Sequence, residues 1–165
     1  MLLICTASSG KNLELAARLQ ELASELGLTS EVLDLTDTGL PLYTPKAEAA
    51  GTPESFEAIE AQFKRARGFV FCAPEYNGSI PPALTSAVAW LSVSGSDFRS
   101  LFNGKPVGLA THSGGGGQKV LVAMRLQFGH LGANVLGREL QTNRNKALNE
   151  ESARNVLSQL AAQLG

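Results

Sequence analysis

Chemistry in this chain is concentrated in three short segments. The first, Thr6-Ala7-Ser8-Ser9-Gly10-Lys11-Asn12, sets hydroxyls, a glycine, a lysine and a side-chain amide close together. Where such a run opens a helix, unpaired N–H groups and the helix dipole attract an anion, the hydroxyls donate and Lys11 adds charge. The same residues also admit a structural role, in which Ser9 or Asn12 caps the helix. The second segment, Pro74-Glu75-Tyr76-Asn77-Gly78-Ser79, runs into Ile80-Pro81-Pro82. Asn77-Gly78 favours positive φ, and a turn of that kind aims consecutive amides outward, toward a planar ring with acceptors on its edge or toward solvent alone. The third, His112-Ser113-Gly114-Gly115-Gly116-Gly117, holds four consecutive glycines. Ordering such a run costs backbone entropy, which points to a group that approaches the main chain closely or to a flexible connector.

Other chemistries are excluded by spacing. The first segment is neither GxxxxGK[ST] nor GxGxxG, which argues against nucleotide triphosphate hydrolysis and standard dinucleotide binding. Glu75 has no partner acid or metal ligand beside it, so it is not assigned as a general base, and no catalytic side chain and no metal set are assigned. His112 reads as a loop or capping histidine, and His130, near a helix end, as structural. Cys5 and Cys72 sit in apolar runs without CxxC spacing and read as buried thiols.

The elements that must position these segments follow from periodicity. Strands are expected at 2–6, 31–35, 68–73 and 106–111, with a fifth beginning at 134–136. Helices are expected at 12–26, with apolar positions 13, 16, 19, 22, 23 and 26 and Gly27 closing it, at 82–92, at 118–130 closed by Gly132, and at 149–164. Thr52-Pro53-Glu54 carries a helix-start signature for a helix reaching Arg67, with Phe56, Ile59 and Phe63 as its buried stripe. Residues 37–51 lack any period and read as a long loop, and the polar stretch 94–104 as a connector. Strands that are apolar throughout are buried on both faces and require helices above and below a parallel sheet. The expected fold is α/β, a flavodoxin-like three-layer α/β/α sandwich with a five-stranded parallel sheet in order 2-1-3-4-5, as a single domain over 1–165. The chemical segments then follow the first, third and fourth strands, at the carboxyl edge where such sheets bind ligands. At that edge a flavin ring would use outward amides at its N5, O4 and O2 positions.

Composition bounds the partners. The 165 residues are 44% apolar and 18% charged, which excludes disorder. A net charge of −1 leaves no basic footprint for nucleic acid and lacks the acidity with which an electron carrier finds basic partners. No apolar run approaches the ~18 residues of a membrane span, and the start of the chain is too short for a signal segment, so a cytoplasmic location and a small-molecule ligand are expected.

The segment Pro74-Glu75-Tyr76-Asn77-Gly78-Ser79-Ile80-Pro81, followed by Ala83-Leu84 and Ala87-Val88-Ala89-Trp90-Leu91-Ser92, resembles the NAD(P)H-dependent FMN reductase family, which includes quinone, chromate and azo-dye reductases. Leu40-Pro41-Leu42-Tyr43 and Ser113-Gly114-Gly115 add support. The resemblance implies FMN as cofactor and NAD(P)H as co-substrate, with electrons passed to a quinone, free flavin or similar acceptor. It implies FMN phosphate contacts from Thr6, Ser8, Ser9, Lys11 and Asn12. Ring contacts would come from Pro74, Glu75, Tyr76, Asn77, Gly78 and Ser79, and cover over the pyrimidine end from Ser113, Gly114 and Gly115. It also implies a homodimer or homotetramer in which a second chain walls the flavin. The first segment departs from the family pattern: it is shorter and lacks an arginine, which leaves the choice between NADH and NADPH open. Tyr43, Tyr76 and Trp90 are the aromatic residues expected near the site, Trp90 more as core. An electron-transfer protein that binds FMN but takes electrons from a protein partner, and a flavin-free binding module, are the alternative readings.

Overall fold

A computed structural model describes residues 1–93 and 95–164; Ser94, the first residue of the expected connector, lies outside the described residues. Leu2–Thr6 (β1), Ser30–Asp34 (β2), Gly68–Cys72 (β3) and Pro106–His112 (β4) pair in parallel, and with Asn134–Val135 (β5) they give the order β2-β1-β3-β4-β5. Side chains alternate across this sheet, so an apolar strand feeds two cores. Leu3, Cys5, Phe69 and Phe71 face Phe56–Arg65 (α3), Pro82–Ser92 (α4) and Gln118–His130 (α5). Leu2, Ile4, Val70 and Cys72 face Lys11–Glu25 (α1) and Glu150–Ala161 (α6). The three-layer sandwich expected from the sequence is therefore present. Its first core is an aromatic seam, in which Phe71 stacks on Phe128 at 4.0 Å between ring centres. Cys5 and Cys72 are buried, free and on opposite faces of the sheet, and burial pushes both thiols up from their ordinary pKa.

The structure corrects several element boundaries. Helix α1 starts at Lys11 behind Gly10, which turns Asn12 and Leu15 into the core and leaves Leu13 half-buried and Leu26 exposed. Strand β2 starts one residue before the expected 31 and, as an edge strand, is only half-buried. The expected loop 37–51 contains the short helix Pro45–Ala49 (α2), whose Thr44 side chain accepts from the Ala47 amide at 3.0 Å. Thr44-Pro45 carries the same hydroxyl-proline start signal as Thr52-Pro53, but at Thr52 the signal marks a turn: the Phe56 amide donates to the Pro53 carbonyl at 3.0 Å, and α3 begins at Phe56 and ends at Arg65. The last helix is Glu150–Ala161, capped by Asn149.

The fifth strand is also divided. After β5, Leu140–Thr142 (β6) returns to the same flank of β4, with Val107 opposite Val135 and Ala110 opposite Leu140. Three steps along β4 thus face five along the edge, so residues 136–139 bulge out. Arg125 of α5 satisfies that bulge, donating to the Leu136 carbonyl at 2.8 Å and to the Glu139 carboxylate at 2.6 Å. On the other flank, the Trp90 indole N–H donates to the Pro41 carbonyl at 2.8 Å, and the Tyr43 ring meets Trp90 edge-on at 5.3 Å. Trp90 is thus core and clasps the segment after β2 to α4. No helix among the described residues is long and apolar enough to cross a membrane.

Candidate functional site

The first, second and third segments leave the sheet at the ends of β1, β3 and β4, which are neighbours, so the sheet order alone brings them to one edge. In the first loop the buried side chains hold backbone groups of this loop and of the end of β4. Thr6 donates to the Ser8 carbonyl at 2.9 Å. Asn12, 2% exposed, donates to the His112 carbonyl at 3.0 Å and accepts from the His112 amide at 2.8 Å. It also donates to Ser8 Oγ at 3.3 Å, which leaves the Ser8 hydroxyl hydrogen free to point elsewhere. Gly10 is the N-cap and neither Ser9 nor Asn12 caps α1. Lys11 pairs with Glu14 at 2.7 Å on the surface. Ser9, Gly10 and Lys11 are exposed residues, and their amides make no hydrogen bond among the described residues.

The second loop closes on itself. The Tyr76 amide donates to the Ser79 carbonyl at 3.1 Å and the Ser79 amide to the Tyr76 carbonyl at 3.0 Å, with Asn77 at φ 49° and Gly78 at φ 77° between them. This is a two-residue primed turn, and it leaves the Asn77 and Gly78 amides unpaired among the described residues. Pro74 behind it is buried and Tyr76 is half exposed. Glu75 faces the third loop instead of the turn: its carboxylate accepts from the Lys119 amide at 3.1 Å, in the first turn of α5. The stem of Lys119 crosses beneath the turn, where a Cβ on Gly78 would lie 3.3 Å from its Cδ.

The third loop is fixed by directed hydrogen bonds. Thr111 donates to the Ala73 carbonyl at 2.6 Å, so the Ser113 hydroxyl must donate to Thr111 Oγ1 at 2.8 Å while accepting from the Glu75 amide at 2.8 Å. Thr142 likewise donates to the Thr111 carbonyl at 3.0 Å, so His112 Nδ1, 3.0 Å from Thr142 Oγ1, carries the hydrogen and its Nε2 is the open atom. Gly117 sits at φ 74°, and a Cβ there would stand 2.6 Å from the Thr111 methyl and 3.0 Å from Ser113 Oγ. Gln141 donates to the Gly116 carbonyl. Gly114 and Gly115 lie in open space, their amides unpaired among the described residues.

All the residues expected at the site therefore lie on one edge, but Asn12, Glu75 and Ser113 use their side chains to join one loop to another, and Thr6 uses its hydroxyl within the first loop. Sequence reasoning missed Thr111, Thr142, Gln141 and Lys119. The first of these had a signal: Thr111 is the hydroxyl that ends the apolar run Val107-Gly108-Leu109-Ala110. Gln141 and Thr142 come from the distant β6, and Lys119 follows the third segment in the first turn of α5; none of these three had a signal. Neither thiol is a nucleophile here, since both are buried and held protonated.

Fold and edge together define a flavodoxin-like domain with main-chain N–H groups left unpaired in three loops at one sheet edge. The chain belongs to the NADPH-dependent FMN reductase family, whose model matches residues 1–146. It is similar to a quinone reductase of Pseudomonas putida, with 33% identity over 94 residues, 56% of this chain and 49% of that protein. It is also similar to an NADPH azoreductase of a Bacillus species, with 31% identity over 112 residues, 67% of this chain and 59% of the relative. The chain thus spans about half the length of the curated relatives it matches. Among solved structures, the FerB flavoenzyme NAD(P)H:(acceptor) oxidoreductase of Paracoccus denitrificans superimposes with a TM-score of 0.75 at 21% identity, covering 99% of this chain and 94% of that one. A flavodoxin variant of Pseudomonas aeruginosa gives 0.61 at 19% identity, covering 99% and 97%. These two likenesses establish the fold.

Proposed function

We propose that this chain is a single FMN-binding domain that oxidises NAD(P)H and reduces a small aromatic acceptor such as a quinone or a free flavin. The observation that carries the reading is the set of unpaired amides that three loops aim from one edge, at Ser9, Gly10 and Lys11, at Asn77 and Gly78, and at Gly114 and Gly115. FMN fits this donor set. Its phosphate requires several N–H and O–H donors at a helix N-terminus, which the first loop offers together with the hydroxyls of Ser8 and Ser9 and the charge of Lys11. Its ring edge is rich in acceptors, which the turn at Asn77-Gly78 and the glycines Gly114 and Gly115 match with backbone donors.

Bound FMN supplies the hydride and electron chemistry. The chain's own residues hold and shield. Ser113 and Glu75 fix the distance between the second and third loops, Asn12 fixes that between the first and third, and Thr111 anchors both to the sheet. A cavity of about 270 Å³ between the segment after β2 and the start of α4, lined by Leu35, Leu40, Pro82 and Ala87 and by the hydroxyl residues Thr36, Thr38 and Ser86, would offer an aromatic acceptor both apolar and hydroxyl contacts. Assembly into two or four copies and a cytoplasmic location belong to the same reading; light scattering of the purified protein tests the first.

The decisive experiment is a fluorescence titration with FMN and with riboflavin. Charged hydrogen bonds contribute about 1.5–3 kcal/mol each, so FMN should bind at least ~100-fold more tightly. Equal affinities would refute the phosphate assignment, and a protein that binds FMN without oxidising NADH or NADPH would refute the enzyme.

A further inference from the structure

A second groove opens on the other side of the first loop, between α1 and the segment after β6, with a volume of about 500 Å³. Its charged and imidazole lining is Lys11, Arg18, His112, Arg144 and Lys146, with Glu14 as the one carboxylate, and Thr142 and Asn143 complete the polar side. Two of the cations are committed: Lys11 to Glu14 at 2.7 Å, and Arg18 to Glu21 at 2.6 Å and Glu150 at 2.5 Å. The other two are not. Arg144 has no side-chain partner among the described residues, and Lys146 reaches only the neutral Gln141 oxygen, at 3.5 Å. Both stand on a small ordered turn, since the Asn143 amide donates to the Lys146 carbonyl at 2.9 Å and the Asn145 amide to Asn143 Oδ1 at 2.8 Å. In a chain of net charge −1, this places uncompensated positive charge at one mouth of a cavity. The apolar part of the lining is Leu15, which is buried, Leu148, which is half-buried, and the exposed Ala147. His112 adds a directed acceptor, because its Nδ1–H is held by Thr142 and its Nε2 lone pair is open.

We infer that this groove binds a nucleoside phosphate monoester, with Arg144 and Lys146 on the phosphate, the apolar part of the lining against the base and His112 Nε2 accepting from a sugar hydroxyl. Each part of the lining selects one part of that ligand. Arginine and lysine meet a terminal dianion better than a bridging monoanion, and the volume exceeds what inorganic phosphate would fill. Two sources carry this chemistry: a free mononucleotide, and the 2′-phosphorylated adenosine of NADPH. If the second is the source, the inference rests on the proposed reductase function and returns by Arg144 the charge that the shortened first loop lacks.

The test is calorimetric titration of the protein with 2′-AMP, 5′-AMP, adenosine and inorganic phosphate, for wild type and Arg144→Ala/Lys146→Ala. Both residues are exposed, so the double variant should fold normally. At least one monophosphate should bind tenfold or more tightly than adenosine and inorganic phosphate, weaken with added salt and lose at least ~30-fold in the double variant, as expected for losing two charge-assisted hydrogen bonds. Selective binding of 2′-AMP identifies NADPH as the source, and the double variant should then raise KM for NADPH while leaving that for NADH unchanged; equal binding of both monophosphates identifies free mononucleotides. Adenosine binding as tightly as either, or unchanged affinity in the double variant, would overturn the site. FMN titration of the same two proteins keeps the readings apart: a wild type that binds no FMN would sink the reductase and leave the groove, whereas a double variant that alone loses FMN would put Arg144 and Lys146 on the flavin phosphate and overturn the separate groove.

Discussion

The side-chain amide of Asn12 closes a two-bond ring with the backbone of His112, donating at 3.0 Å and accepting at 2.8 Å. One buried residue thereby pairs both polar groups of a residue at the end of β4 and sets the first loop against the third. Asn12→Leu would leave the His112 amide and carbonyl without partners, and each unsatisfied buried group costs about 1–3 kcal/mol. The variant should lose about 2–4 kcal/mol in urea unfolding and bind FMN more weakly, because the first loop is no longer held in place. Unchanged stability would show that the ring is incidental.

Gly78→Val should harm flavin binding far more than Ser79→Ala. Valine at φ 77° strains the turn or rotates the Asn77 and Gly78 amides, and its Cβ would also displace Lys119. We expect at least a ~10-fold loss of FMN affinity, about 1.4 kcal/mol, with the fold retained. Normal affinity in a folded Gly78→Val protein would remove the turn from the ring site.

The third loop contains glycines of two kinds. Gly117→Ala places a methyl 2.6 Å from Thr111 at positive φ, so it should destabilise the protein by more than ~1–2 kcal/mol. Gly114→Ala meets nothing within 4 Å and should leave the melting temperature nearly unchanged, while reducing FMN affinity if, as proposed, the flavin approaches the backbone there. Thermal unfolding and flavin titration of the pair separate a folding role from a binding one, and equal melting temperatures would contradict the packing described here.

Burial raises the pKa of both Cys5 and Cys72. The folded chain therefore keeps protons that the unfolded chain releases above about pH 8.5. Stability from this source is complete below that pH and should fall as pH rises past it, by up to about 1.4 kcal/mol per pH unit for each thiol. Urea unfolding between neutral and alkaline pH measures the slope, and Cys5→Ala/Cys72→Ala should flatten it. Native thiols should also resist alkylation until denaturant is added; rapid labelling at neutral pH would show them accessible.

Apolar strands 2–6 and 68–73 and the helices at 82–92 and 118–130 were legible because each repeats its pattern over several residues, and repetition survives without knowledge of neighbours. The divided fifth strand was not. Its second half, Leu140–Thr142, is three residues long, and the bulge before it is tolerated only because Arg125, from another element, satisfies its carbonyls. Helix α2 carried its Thr44-Pro45 signal in plain view, yet the same signal at Thr52-Pro53 opens a turn; Trp90 and Ser86 hold Pro41 and Tyr43, just ahead of the first of the two.

At the site, the sequence by itself marked which backbone stretches could come close to a ligand, because Asn77-Gly78 admits positive φ and the run Gly114 to Gly117 has no side chains to keep another group off the main chain. The tertiary structure alone decided what the polar side chains do. Asn12, Glu75 and Ser113 looked like ligand donors in one dimension, but each lies within hydrogen-bonding distance of a segment some 40 to 100 positions away. A side chain's partner is whatever the fold brings to it, and the parallel order, with β1, β3 and β4 adjacent, brought these loops close enough to bind one another.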